Sequence, residues 1–230
     1  MFKCRIYFLT QDKNSYFITE CGIASVPKWK RKTTPLQSRR IEGGAEVSPH
    51  SIPWQVDIVE KGKGVCGGTL ISSVHVLTAA HCVVFALNGS LDDDWKVSVG
   101  QHKRSPRDGK EIEVCHISVF NGTSYWDALD GDYAIVLLSS HVMMSNKVSI
   151  ACLPDESMGG DFLVGKILTV SGWGLGSWGK VLHGVQYPGQ NNTFCQFLHK
   201  PYNITNNMLC AGNPFPNTKS HCRGDSGGKF

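Results

Sequence analysis

The chain has 230 residues, 41% of them hydrophobic, with 25 glycines; this is enough to bury one large core or two smaller ones, and it argues against disorder. No apolar run approaches the 18 or so residues of a membrane-spanning helix, so the chain reads as soluble, with no membrane span. The net charge of +4 is uneven: residues 1–40 carry nine Lys/Arg against two Asp/Glu, and residues 41–230 fourteen against seventeen. The body is slightly acidic, and no nucleic-acid partner is expected.

The chain opens with "MFKCRIYFLTQDKN", in which the apolar run from Ile6 to Leu9 is too short for the core of a signal peptide. The basic stretch "PKWKRKTTPLQSRR" reads as a solvated, protease-sensitive linker in preference to a binder of anionic surfaces. "WQVDIV" then puts Trp54, Val56 and Ile58 on one face of a predicted strand, and "WKVSVG" does the same with Trp95, Val97 and Val99; both are half-buried patterns. "YAIVLL" and "KILTVSGW" are denser and predict strands buried on both faces. Loop signals recur between them at "EKGKG", "LNGSLDDD", "SPRDGK" and "GNPFPN", and long helical periodicity is absent. An all-β barrel or sandwich is predicted.

Nine cysteines are too many for an ordinary cytosolic enzyme, and no CxxC pair offers a metal or redox motif. Disulfides are expected, with no metal and no cofactor. Sequons at Asn88, Asn121, Asn191 and Asn203 are candidate glycosylation sites and lean towards a secreted protein.

Three short stretches carry the chemistry. "LTAAHC" places His81 after an apolar segment and beside Cys82, which can bridge to Cys66; alone, such a histidine is more often structural. "DGDYAIVLL" places Asp132 at the mouth of a strand, where an isolated Asp is usually a turn or capping residue. "CRGDSGG" flanks Ser226 with glycines, which let the backbone approach a substrate closely and turn N–H groups towards a developing oxyanion. A serine hydroxyl needs a base to become a nucleophile, and the base needs a third group to fix its tautomer. Histidine suits the base because its pKa lies near neutral pH. The order His81, Asp132, Ser226 is one of the known orders of a Ser-His-Asp triad.

Together with "RIEGG", "PWQV", "CGGTLIS", "ACLP", "SGWG" and "MLCAG", these stretches make residues 21–230 resemble the trypsin-like, chymotrypsin-fold serine proteases. The resemblance implies two packed six-stranded Greek-key β-barrels with the triad between them. It divides the chain into a basic pro-segment at 1–40, a first barrel at 41–150 and a partial second barrel at 151–230. Ser226 would be the nucleophile, His81 the general base and acid, Asp132 the orienting group, and the N–H groups of Gly224 and Ser226 the oxyanion hole.

The resemblance further implies a zymogen. Cleavage after Arg40 would free the amino group of Ile41 to pair with Asp225, although Glu42 stands where the family has a small apolar residue. It pairs Cys66 with Cys82, Cys195 with Cys210, and Cys21 with Cys152, the last tethering the pro-segment after cleavage. It finds no counterpart for Cys4 or Cys115, sends Cys222 to a partner beyond Phe230, and puts Leu168 where chymotrypsin has a cysteine. Ser220 falls at the base of the substrate pocket, beside His221. An uncharged base favours a large apolar or aromatic substrate side chain, so a separate trypsin-like protease is the expected activator. Partners are protein or peptide substrates, that activator and protease inhibitors.

Only four residues follow Ser226, and Lys229 stands where the family has proline. The expectation is a secreted serine endopeptidase zymogen whose second barrel is incomplete in this chain, leaving the 230-residue chain itself inactive. A catalytically silent homologue that acts by binding, or an inactive fragment, is the alternative.

Overall fold

The computed structural model describes residues 20–26, 45–87, 94–120, 130–155, 158, 160–174 and 180–212. Within them the chain forms β1 (Ala45–Glu46), β2 (Gln55–Glu60), β3 (Lys63–Leu70), β4 (His75–Thr78), helix α1 (Ala80–Leu87), β5 (Trp95–Val99), β6 (Lys110–Val119) and β7 (Ala134–Leu138). After these come β8 (Ile167–Gly172), β9 (His183–Gln190), helix α2 (Asn192–Leu198) and β10 (Cys210–Ala211).

Six strands close a barrel in the order β2, β3, β4, β7, β6, β5. Three hairpin-connected strands, β2 to β4, are followed by β5, which returns to lie beside β2; this is a Greek key. The β2–β3 hairpin turns through Lys61 and Gly62, both with positive φ (48° and 74°), as a two-residue turn between right-twisted strands requires. Val56, Ile58, Leu70, Val76, Val97 and Val136 fill the interior, each 1% exposed or less. Fully burying a side chain of this kind contributes about 1.5–3 kcal/mol. Gly68 keeps the interior close-packed, because a Cβ there would lie 2.8 Å from Val76 and 2.9 Å from Val56.

The second half builds a smaller antiparallel sheet in which β9 pairs with β1, β8 and β10. Val170, Val185 and Tyr187 pack on one side of it, while Val47, Trp173 and Leu182 form a separate cluster. Ala45–Glu46 therefore joins the sheet of the second half, although the residues that follow it enter the barrel. The chain is all-β in architecture, with a closed barrel joined to a second sheet. Asn191 caps α2 by accepting a hydrogen bond from the Thr193 N–H.

Three strands differ from their sequence patterns. The face of β2 opposite Val56 and Ile58 is not solvated: Gln55 is 1% exposed and Asp57 fully buried. β7 is less buried than its apolar run suggests, with Ile135 and Leu137 only half-buried between buried Ala134, Val136 and Leu138. β8 begins in solvent, with Ile167 62% exposed, and enters the core only from Val170. In each case the neighbouring layer, not the strand's own composition, sets which faces are covered.

The buried Asp57 carboxylate is held by three side chains. Arg104 grips it with two bonds, of 3.1 Å from Nε and 2.5 Å from Nη2. Arg107 donates at 2.8 Å and Gln101 at 3.0 Å. Arg104 also donates to the Gly174 carbonyl at 2.7 Å and lies 5.1 Å over the Trp173 ring, so one guanidinium ties the barrel to the second half. Beside it, the Trp173 indole N–H and the Leu182 N–H both donate to the His102 carbonyl. Ser171 donates to Gln55 at 2.7 Å. The seam between the halves is thus crossed by a network of hydrogen bonds.

Candidate active site

His81 is the second residue of α1, and Asp132 lies two residues before β7. The register of the barrel brings them together. Thr78, the last residue of β4, pairs with Ala134, the first of β7, and the strands are antiparallel. The chain leaving β4 must therefore pass the chain entering β7. Buried Ala79 and Ala80 are small enough for α1 to start directly against the barrel, and the Cys66–Cys82 disulfide fastens that start to β3.

The Asp132 carboxylate contacts His81 twice. Oδ2 lies 2.6 Å from Nδ1 of the ring, and Oδ1 accepts from the His81 backbone N–H at 2.8 Å. The hydrogen bond to Asp132 raises the His81 pKa against the opposing effect of burial, and the negative charge of Asp132 adds to the rise. Burial alone would raise the Asp132 carboxyl. The hydrogen bonds from the His81 ring and from the His81 and Ala80 backbones, with the ring's charge, outweigh it and hold the carboxyl below its ordinary value. An ionised carboxylate can only accept, so Nδ1 carries the ring proton, and in the neutral ring Nε2 keeps its lone pair, 3.6 Å from Cys82 Sγ, a disulfide sulfur with no proton to donate. The His81 side chain is 36% exposed and that of Asp132 16%, so the ring remains reachable while the carboxylate is shielded.

Cys66, His81 and Cys82 bring potential metal-binding atoms within 4.8 Å of one another. Both sulfurs are consumed in the disulfide, however, so neither is a thiolate ligand.

The structure also joins Cys21 to Cys152 and Cys195 to Cys210. Cys115, for which the sequence offers no counterpart, is itself disulfide-bonded. Asn191 and Asn203 are exposed. Ser226, Gly224, Asp225, Ser220, Arg40, Ile41, Asn88 and Asn121, with Cys4 and Cys222, lie outside the described residues. Sequence reasoning missed the Asp57 cluster, because the alternation in "WQVDIV" assigns Asp57 to solvent. The two arginines of "KRSPRDG" were the available signal, but they do not name their partner.

A closed Greek-key barrel with a histidine at a helix start, hydrogen-bonded to an aspartate at a strand mouth, defines the class of chymotrypsin-fold serine proteases. A family model described as Trypsin matches residues 41–230, and the chain belongs to the trypsin family. It is 34% identical over 201 residues to the vitellin-degrading protease of Bombyx mori, across 85% of this chain and 73% of that protein. It is 30% identical over 223 residues to chymotrypsin-C of Mus musculus, across 91% and 76% respectively. The clotting factor G beta subunit of Tachypleus tridentatus is 33% identical over 204 residues, across 82% of this chain and 64% of that protein.

Proposed function

We propose that the protein is a secreted serine endopeptidase made as a zymogen, with His81, Asp132 and Ser226 as its catalytic triad. The observation that carries this reading is the 2.6 Å contact between His81 Nδ1 and Asp132, in a chain of the trypsin family. Neutral His81 takes the Ser226 hydroxyl proton on Nε2 as Oγ attacks the substrate carbonyl. The N–H groups of Gly224 and Ser226 hold the oxyanion, each such donor being worth about 2.7–4 kcal/mol of barrier. The imidazolium, stabilised by Asp132, then protonates the leaving amine as the peptide bond breaks. Water repeats the sequence on the acyl-enzyme and regenerates Ser226.

Activation proceeds by cleavage after Arg40 and pairing of the new Ile41 ammonium with Asp225. Residues 1–40 act as the pro-segment, residues 41–150 as the first catalytic half, and residues 151–230 belong to the second. The Cys21–Cys152 disulfide supports retention of the pro-segment after cleavage. Ser220 at the pocket base selects large apolar side chains, so activation falls to a trypsin-like protease, and protease inhibitors are natural partners. The name of the vitellin-degrading protease agrees with a protein as substrate.

The test is labelling by a fluorophosphonate probe before and after cleavage at Arg40. Label on Ser226 that appears with cleavage and vanishes in Ser226→Ala is the expected result. Well-folded, correctly cleaved protein that takes no label would overturn the reading in favour of a catalytically silent binding protein.

A further inference from the structure

The second half of the molecule reaches the base of the barrel's His–Asp pair at one residue that the triad does not use. Asp130 precedes Asp132 by two positions and accepts a 2.5 Å hydrogen bond from the Thr205 hydroxyl. The Asn207 side-chain amide donates to both of its oxygens, at 3.2 and 3.3 Å. Between the two aspartates stands Gly131, with φ 66°, a left-handed conformation that glycine adopts without the strain a side chain would bring. Tyr133 N–H donates back to the Gly131 carbonyl at 2.7 Å and tightens the same turn. The turn thus sends the Asp130 carboxylate to Thr205 and Asn207 while Asp132 meets His81.

The donors are themselves braced. Asn192 of α2 donates to the carbonyls of Thr205 and Met208, at 3.1 and 2.8 Å. Gln196 of the same helix donates to the Tyr202 carbonyl and accepts from the Ile204 N–H, both at 2.7 Å. The Cys195–Cys210 disulfide ties α2 to the far end of this connection. A continuous strut therefore runs from α2, through residues 202–208, to Asp130 and the turn that carries Asp132.

We propose that Asp130 is a positioning residue: anchored by Thr205 and Asn207, it fixes the Asp132 turn from the second half of the chain and so sets the contact between Asp132 and His81. The inference deepens the proposed endopeptidase mechanism and rests on the roles given there to His81 and Asp132. It adds that the orienting aspartate is held by both halves of the fold, so that their seating is felt at the general base. The contacts of the Asp130 carboxylate are with Thr205 and Asn207, and it acts on His81 through the turn.

The test reads His81 itself, so it does not depend on turnover. His81 is titrated by NMR through its ring nitrogens, together with its low-field Nδ1–H proton, and both signals are assigned by their loss in His81→Gln. In Asp130→Ala the titration should fall back towards the ordinary histidine value, and the low-field proton should weaken. Asp130→Asn should keep the parent's behaviour, because its amide carbonyl still accepts from Thr205. If Asp130→Ala does not fold, Asn207→Ala and Thr205→Val are read in the same way. In cleaved, active protein, Asp130→Ala should lower kcat more than it raises KM, by up to about 10²-fold, the scale for a 1 Å misplacement. A folded Asp130→Ala with an unchanged His81 titration overturns the proposal, and so does an Asn variant as impaired as the Ala variant. Failure of Ser226 to label would overturn the endopeptidase reading and leave the His81 measurement standing.

Discussion

Replacing Asp57 by Asn should be among the most damaging single changes of a non-catalytic residue. The native carboxylate is fully buried and pairs with both Arg104 and Arg107, whose side chains are only 10% and 19% exposed. Equal size is no remedy at such a site: the amide nitrogen that replaces one carboxylate oxygen turns its N–H donors towards guanidinium groups that can only donate. Arg107 keeps Glu111 at 3.3 Å and the Gly62 carbonyl at 3.0 Å, and Arg104 keeps the Gly174 carbonyl, but none of these replaces the carboxylate that the two arginines share. Removing one partner of a buried pair costs about 3–5 kcal/mol, a large share of the roughly 5–15 kcal/mol that holds a typical domain together. At about 2–4 °C per kcal/mol for a chain of this size, the midpoint of thermal unfolding should fall by about 6–20 °C. Guanidinium and thermal unfolding followed by circular dichroism would measure it. Replacing Asp57, Arg104 and Arg107 together by apolar residues of similar volume should recover part of the loss, since the uncompensated charges go with the carboxylate. If Asp57→Asn unfolds cooperatively within about 1 °C of the parent, well below the shift that a broken buried pair implies, the view of this cluster as a closed, charge-balanced centre is wrong.

In the proposed mechanism His81 must be neutral to accept a proton, so the acid limb of kcat/KM in the cleaved protein should lie above the ordinary histidine value. Asp132→Asn should move that limb down and lower kcat by about 10⁴-fold, the scale known for this change in a Ser-His-Asp triad; a limb that stays in place would refute the assignment. The same pair links stability to pH. The contribution of His81, whose folded pKa is raised, is complete below its unfolded value and is lost as pH rises through the folded value. The contribution of Asp132, whose pKa is lowered, is present above its unfolded value and is lost as pH falls through the folded one. Denaturant midpoints measured across pH for the parent and His81→Gln should differ in that sense. Gly68→Ala should destabilise by about 1–3 kcal/mol through overpacking against Val56 and Val76, read as a lower denaturant midpoint at constant m-value. Replacing Cys66 and Cys82 by alanine, which opens a loop spanning 16 residues, should cost about 3 kcal/mol in the same measurement.

The class of fold and the chemistry can be read from the order of the amino acids. Alternating strands at Trp54–Ile58 and Trp95–Val99, broken by turn residues, leave little but a β-barrel or sandwich, and His81 and Asp132 announce themselves through the short motifs around them. These signals are legible because they are local: periodicity and turn chemistry are properties of a few neighbouring residues. The pairing of Thr78 with Ala134 is not local, and it is this register that closes a separation of 51 residues into a 2.6 Å contact. Nor could the strand pattern show that Asp57 is buried between two arginines instead of solvated, or that Asp130 is held by Thr205 and Asn207 from the other half of the chain. A strand's pattern tells which residues share a face, but what covers that face is supplied by elements distant in sequence. The partners of a buried charge exist only once those elements have met.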